Sequence, residues 1–211
     1  LLRGLEREAQ QPDNRYPISI ADLENMSRFV PQITSNAHES LVCRAMLLTA
    51  FFGLLRVGEY TGKTTDQGGQ GLRLQDLVRS GREYSLRMSI FKHNVSQRTH
   101  TIDLPARLNN PLSSPSKALD EYLLSRGNSP GPLFAINGMP VPSSVFSKWL
   151  QQLAQRCRLD TKRVKPHSLR VGGASWAMQQ GYSDAQIRAM GRWKSTAAFT
   201  TYIRSNVRSN D

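Results

Sequence analysis

The sequence predicts a mainly α-helical fold with a small three-stranded antiparallel β-sheet, an α+β class. Most segments place apolar residues three or four positions apart, the spacing that lines one face of a helix. Only the region between residues 72 and 104 alternates apolar and polar residues, as half-buried strands do. The 211 residues, of which 38% are hydrophobic, suffice for one domain with a substantial core.

Polar and charged residues dominate positions 1–18 and predict an interdomain linker. The folded domain is expected to span residues 19–211. Ser19 is a good N-cap for its first helix. Asp22 follows in the first turn of that helix, where a negative charge suits the helix dipole.

A second helix is predicted over residues 38–54, and it is apolar on most sides. Such a helix is expected at the centre of the core. Arg56 follows at its end, and two interpretations are open. A cation suits a helix C-terminus, or the core holds this side chain rigidly and aims it into a cleft.

Three short alternating segments follow a Gly- and Thr-rich loop over residues 61–71. The segments are residues 72–77, 84–90 and 99–104. They predict an antiparallel meander with Arg82 in its first turn and with Lys92 and Arg98 in its second. Lys92 is either an ordinary exposed hairpin lysine or a functional cation.

The C-terminal half predicts helices opened by Ser or Pro and closed by Gly or by a basic segment. Their predicted ranges are 114–126, 143–157, 167–180 and 183–191. Asn137 and Gly138 mark a turn in a Pro- and Gly-rich connection. Gly172 and Gly173 would let a neighbouring backbone approach closely. A last helix, opened by Ser195 or Thr196, is expected to carry Tyr202.

The charge balance predicts a polyanionic partner. The chain has 28 Lys and Arg residues against 16 Asp and Glu, a net charge of +12. Nucleic acid and an anionic membrane surface are both partners that fit this charge. The alternative is that the protein is merely basic and has no polyanionic partner. The longest apolar run, 45–55, is too short to cross a bilayer. The two cysteines, Cys43 and Cys157, predict free thiols in a reducing, intracellular compartment.

Six residues have side chains of the types suited to phosphate chemistry. His167 and Arg170 lie three positions apart and therefore face one side of a helix. Arginine side chains bind phosphate oxygens bidentately, an indole N–H adds a single donor, and a tyrosine hydroxyl is a candidate nucleophile. The six are Arg56, Lys92, His167, Arg170, Trp193 and Tyr202.

A basic run lies directly upstream of His167 and contains Lys162, Arg163 and Lys165. Such a cluster is often only a solvated face. Its place next to the candidate phosphate site favours a surface that follows a nucleic-acid backbone.

These motifs resemble the catalytic domain of the tyrosine recombinase, or phage integrase, family. The resemblance covers nearly all of residues 19–204, including the separations of Trp193 from Arg170 and from Tyr202. Within the family, the residues of the motifs are most similar to those of recombinases from DIRS-like, Ngaro-like and Crypton-like eukaryotic mobile elements. The motifs are Leu55–Glu59, Lys92 on a β-hairpin, His167–Arg170, Gly191–Trp193 and Tyr202.

The resemblance implies the tyrosine recombinase fold and a reaction that cuts and rejoins DNA strands. Tyr202 would attack the phosphorus, Lys92 would protonate the leaving 5′-oxygen, and a 3′-phosphotyrosine would form. Glu59 would orient His167 or Arg170. No metal, ATP or other cofactor is expected, since arginine donors can neutralise the transition state.

The implied partner is double-stranded DNA, on which the protein would self-associate as a dimer to tetramer. No membrane partner and no small-molecule substrate are expected, and a eukaryotic element would place the protein in the nucleus. A DNA-clamping domain would precede the linker. The residues expected to contact DNA are Arg98, Lys162, Arg163, Lys165, Arg192 and Lys194.

Two departures from the family pattern leave alternatives open. The family often has Gly directly before its His or Trp, whereas Arg192 separates Gly191 from Trp193 here, so that Arg192 is a second candidate for the donor position. Few residues follow Tyr202, which leaves open whether a tail docks on a neighbouring subunit. Two alternatives to an active recombinase are also open. The chain could be a domesticated DNA-binding domain that no longer cleaves, or a type IB topoisomerase.

Overall fold

A computed structural model describes residues 15–62, 71–88 and 99–193. The described helices are α1 (Ile20–Phe29), α2 (Ala37–Phe52), α3 (Val57–Tyr60), α4 (Pro115–Arg126), α5 (Ser143–Arg156), α6 (Pro166–Gln179) and α7 (Asp184–Gly191). The described strands are β1 (Leu77–Ser80), β2 (Glu83–Met88), β3 (His100–Leu104), β4 (Ala135–Ile136) and β5 (Met139–Pro140). The predicted mainly α class with a three-stranded antiparallel sheet is confirmed.

Helix α2 is the central element of the core, as its sequence predicted. Nearly all its side chains from Val42 to Phe52 are buried. The helix begins after Asn36, whose side chain accepts a hydrogen bond from the Glu39 N–H. It ends at Phe52, two residues before the predicted end, because Gly53 caps it and Leu54 adopts a left-handed conformation with φ of 47°.

The chain before α1 already belongs to the fold. The Ile18 N–H donates to the Ser168 carbonyl at 3.3 Å, and the Ile18 side chain is fully buried. The Tyr16 N–H donates to the Arg163 carbonyl at 3.1 Å. Only residues 1–14 of the predicted linker lie outside the described part. Ser19 caps α1 as predicted.

The sheet has the order β1-β2-β3 and is antiparallel throughout. Leu86 lies opposite Leu77 on one side and Ile102 on the other, which aligns apolar side chains across the sheet. The expectation of a strand starting near Leu72 is wrong. Residues Leu74–Asp76 form a 3₁₀ turn, closed by the Asp76 carboxylate accepting from the Arg73 N–H, and the strand begins at Leu77.

Two predicted turns are present. Asn137 and Gly138 have φ of 52° and 76°, as a tight hairpin turn requires, and they join the short strands β4 and β5, which were not predicted. Gly181, with φ of 84°, follows the end of α6.

Helix α6 crosses two backbones closely through its glycines. A Cβ at Gly172 would lie 1.8 Å from the Ile18 carbonyl oxygen, and one at Gly173 would lie 2.1 Å from the Phe51 carbonyl oxygen. Neither position accepts a side chain, because the obstructing atoms are backbone. This close approach sets α6 directly against α2 and so places the residues of its first turn near the end of α2.

None of the helices in the described part of the chain combines the length and the apolar composition that a membrane span requires.

Gly172→Ala should destabilise the domain by about 3 kcal/mol, because the new methyl group meets the Ile18 carbonyl. Gly58→Ala is the matched control. Gly58 is exposed within α3, and a Cβ there meets no atom within 4 Å, so that this variant should be neutral or stabilised by up to about 1 kcal/mol. Urea unfolding measures both. Equal free energies of unfolding for the two variants would refute the packing argument.

Candidate functional site

Arg56 lies at the N-cap of α3, and the expectation that it ends the buried helix is wrong. The left-handed residue Leu54 turns the chain out of α2 before Arg56 is reached. The Arg56 N–H donates to Glu59 Oε2 at 2.7 Å, and its Nη1 donates to Glu59 Oε1 at 3.1 Å. The Arg56 side chain is 29% exposed, so that part of it is accessible to a ligand from solvent.

Arg170 lies in the N-terminal part of α6 and is only 1% exposed. Its Nη1 donates to the Leu54 carbonyl and its Nη2 to the Gly191 carbonyl, both at 2.5 Å. The Trp193 ring covers the guanidinium, with 4.0 Å between the Arg170 Cζ and the ring centroid. Arg170 therefore ties together α6, the segment after α2 and the end of α7.

Three guanidinium groups share this region. Burial, and then the positive charges of Arg56 and Arg192, lower the pKa of Arg170, while Glu59 raises it. Burial also lowers the pKa of Arg192. Three guanidinium groups gather around a single carboxylate, Glu59, so the cluster keeps a net positive charge that would stabilise an anion.

Arg192 caps the C-terminus of α7 in a left-handed conformation, with φ of 57° and ψ of 40°. This conformation costs a residue with a side chain on the order of 1–2 kcal/mol. The side chain is 2% exposed. Nη2 donates to Glu59 Oε2 at 2.6 Å and to the Leu54 carbonyl at 3.1 Å, and Nη1 donates to the Met190 carbonyl at 2.7 Å. A side chain so enclosed has almost no surface to offer DNA in this conformation, which does not fit the expectation for Arg192.

Glu59 is the carboxylate of the cluster and is 6% exposed. It accepts from Arg56 and from Arg192, whereas it was expected to orient His167 or Arg170. Its place between two cations makes it the counter-charge that allows a group of arginines to be buried together.

His167 and the basic run surround the start of α6. Pro166 occupies the first turn, the Lys165 N–H donates to the Ser168 hydroxyl at 3.0 Å, and His167 is half-buried. Lys162 and Lys165 are exposed and Arg163 is partly buried. A row of cations thus leads to the first turn of α6.

In the part of the chain that the structure describes, no group of three or more His, Cys, Asp or Glu side chains could hold a metal ion.

The phage integrase family model matches residues 24–208. The chain belongs to the phage integrase family. The resemblance to the tyrosine recombinases is therefore confirmed for the family, while the similarity to particular eukaryotic mobile elements stays a prediction.

Solved recombinases share the fold. A post-cleavage complex of the XerH site-specific recombinase with palindromic difH substrate aligns with a TM-score of 0.69 and 16% identity, covering 98% of this chain and 54% of that chain. XerA recombinase aligns with a TM-score of 0.65 and 17% identity, covering 95% and 61%. A lambda integrase dimer bound to a COC′ core site aligns with a TM-score of 0.63 and 16% identity, covering 93% and 49%.

The chain spans about half to three-fifths of the length of these three proteins. No curated protein sequence gives a significant match to it.

The structure brings together five of the residues that the phage integrase motifs singled out: Arg56, Glu59, Arg170, Arg192 and Trp193. It also clarifies the Gly-Arg-Trp motif. The residue directly before Trp193, where the family often has Gly, is Arg192, and its backbone adopts the left-handed conformation that favours Gly.

Four predicted site residues lie outside the described part of the chain: Lys92, Arg98, Lys194 and Tyr202. Their roles in this phage integrase domain stay predictions.

One residue near the site was missed. Burial, and then the charge of Arg192, lower the pKa of His100, while a hydrogen bond with the Ala189 backbone opposes this shift. His100 is the first residue of β3, directly after the predicted Lys92 hairpin. Its position beside that hairpin could have identified it from the sequence as a residue near the site.

Glu59→Gln should lower the free energy of unfolding by about 3 kcal/mol, because it removes the counter-charge of buried cations. Glu121→Gln is the matched control, since Glu121 pairs with Arg44 at 2.8 Å with a side chain that is 36% exposed. That variant should cost less than about 1 kcal/mol. Chemical denaturation of both proteins measures the difference, and a Glu59 variant as stable as the control would contradict the assignment.

Proposed function

We propose that this chain is the catalytic domain of a site-specific DNA recombinase that cuts and rejoins strands through a covalent 3′-phosphotyrosine. The observation that carries the proposal is the guanidinium cluster. Arg56, Arg170 and Arg192 meet around Glu59 and the Leu54 carbonyl in a chain of the phage integrase family. Such fixed donors suit the charge that develops on a phosphate oxygen.

The proposed cleavage step transfers the phosphoryl group from the DNA 5′-oxygen to Tyr202. The tyrosine hydroxyl loses its proton, which nearby cations favour, and its oxygen attacks the phosphorus. The bond from phosphorus to the 5′-oxygen breaks, and Lys92 gives that oxygen a proton. In the rejoining step a 5′-hydroxyl gives its proton to Lys92 and attacks the phosphotyrosine, and Tyr202 leaves and regains its proton. The phosphodiester energy is kept, and no ATP is required.

The described side chains would each donate hydrogen bonds to a different part of the phosphate. Arg56 and Arg170 would hold the two non-bridging oxygens, because guanidinium groups bind them bidentately. His167 and the Trp193 indole N–H would add single donors. Trp193 covers the face of the Arg170 guanidinium, so phosphate oxygens would bind the N–H groups in the plane of that side chain.

The basic run before α6 is the proposed track for the DNA backbone. Lys162 and Lys165 are exposed there, next to the helix that carries Arg170. Arg163 lies between them, and Arg98 and Lys194 are further predicted contacts. The net charge of +12 gives the chain a general attraction for DNA.

The proposed biological setting is a mobile element. The Tn1549 transposon integrase in complex with transposon right end DNA aligns with a TM-score of 0.56 and 15% identity, covering 88% of this chain. This neighbour supports a transposable element. The residues of the motifs separately resemble those of DIRS-, Ngaro- or Crypton-like elements, which would place the protein in the nucleus. The lambda integrase neighbour is a dimer on its core site, which supports self-association on DNA.

Tyr202→Phe should abolish formation of a denaturant-stable covalent adduct with a nicked suicide substrate, because the attacking oxygen is missing. The unmodified full-length protein should form the adduct on its cognate site under the same conditions, as seen on denaturing gels. Salt-dependent DNA binding without any adduct by the unmodified protein would support a domesticated binding domain instead. Relaxation of supercoiled plasmid by a monomer, without site preference, would support a topoisomerase.

Lys162→Gln combined with Lys165→Gln should reduce the salt dependence of DNA binding. The slope of log affinity against log salt falls by about 0.9 for each phosphate contact that is lost. Lys117→Gln is the matched control, because Lys117 is 50% exposed outside this run and lies 3.9 Å from Glu121. A fluorescence-anisotropy titration at several salt concentrations gives the slopes, and a double variant that matches the control would exclude this surface.

A further inference from the structure

We infer that Arg192 is a positioning residue, which holds Trp193, Arg170 and Arg56 in register with one another. Its effect on strand cleavage rests on the proposed function, but its effect on side-chain positions does not. Arg192 itself does not contact DNA.

The backbone of Arg192 folds Trp193 back onto the site. The Arg192 N–H donates to the Ala189 carbonyl and the Trp193 N–H donates to the Arg188 carbonyl, both at 3.0 Å. These bonds and the left-handed residue form a Schellman closure of α7. The turn returns the Trp193 ring over Gly191, where a Cβ would lie only 1.6 Å from Trp193 Cζ3.

The side chain of Arg192 anchors this turn to a different part of the chain. Its Nη2 group binds both the Glu59 carboxylate and the Leu54 carbonyl. Nη1 binds the Met190 carbonyl. One guanidinium group therefore joins the end of α7 to the segment between α2 and α3, which a shorter or single-point donor would not do.

The anchored turn presents acceptors to the other two arginines. The Gly191 carbonyl accepts from Arg170, and the Arg192 carbonyl accepts from Arg56 at 3.3 Å. Arg170 and Arg192 also share the Leu54 carbonyl. Moving the turn would therefore shift both the stacked tryptophan and the two guanidinium groups proposed to hold the phosphate.

Two variants separate the backbone role of Arg192 from its side-chain role. Arg192→Gly keeps a residue that adopts the left-handed conformation freely and removes the anchor. Arg192→Lys keeps the charge but offers one ammonium group in place of a planar fork.

The first measurement needs no catalytic activity. The stacked Trp193 ring should shift the Arg170 Nε–H proton resonance upfield by its ring current, and Trp193→Leu identifies that shift by abolishing it. In Arg192→Gly the shift should be largely lost, and in Arg192→Lys it should be partly kept. An Arg192→Gly protein that retains the full shift and a normal melting temperature would overturn the positioning role.

The second measurement tests the consequence for catalysis. The single-turnover cleavage rate constant of Arg192→Gly at saturating suicide substrate should fall by about 10- to 100-fold, as expected for misplaced donors. Arg192→Lys should be intermediate. The DNA affinity and its salt slope should not change. A rate constant, unlike a reaction amplitude, does not depend on the folded fraction, so loss of stability alone would leave it unaltered.

The outcomes separate the two hypotheses. An unchanged cleavage rate with a salt slope reduced by about one would make Arg192 a phosphate contact and would refute the inference. If the unmodified protein forms no adduct, the proposed function fails, and the Arg170 resonance alone then decides whether Arg192 positions the site.

Discussion

The site depends on one buried carboxylate. Like charges about 4 Å apart repel by about 4 kcal/mol at an effective dielectric constant of about 20. Arg56, Arg170 and Arg192 could therefore not be gathered without compensation. Glu59 supplies the negative charge, and the Leu54 and Gly191 carbonyls supply further acceptors. The compensation is partial, because three guanidinium groups face one carboxylate. The net positive charge that remains would attract an anion to the site.

The fold serves this arrangement through its backbone. Helix α2 stops at Gly53, and the left-handed turn at Leu54 directs a carbonyl toward two arginines. Helix α6 comes close enough for Arg170 to reach that carbonyl because Gly172 and Gly173 carry no side chains. The helix packing that stabilises the core therefore also positions the arginines of the site. A change in helix packing would move the donors as well as weaken the core.

Locally determined features were predictable. The Ser19 cap, the Asn137–Gly138 turn and the end of α6 before Gly181 depend on residues within a few positions. The first strand was misplaced because the alternation near Leu72 also fits the 3₁₀ turn, and only pairing with β2 shows where a strand begins. Arg56 was misplaced for a related reason. The apolar pattern runs past Phe52 to Leu55, and this continuation hid Gly53, a local signal for the end of the helix.

The sequence by itself determined the family, the helical class and the residue types of the site, because these are written in motifs, caps and periodicity. Only the tertiary structure decided what each cation does. Arg192 reads as a basic surface residue beside Trp193, yet its side chain is buried against Glu59, which lies far away in the chain. Charge and spacing are properties of sequence, whereas burial and pairing arise from segments that meet only when the chain folds.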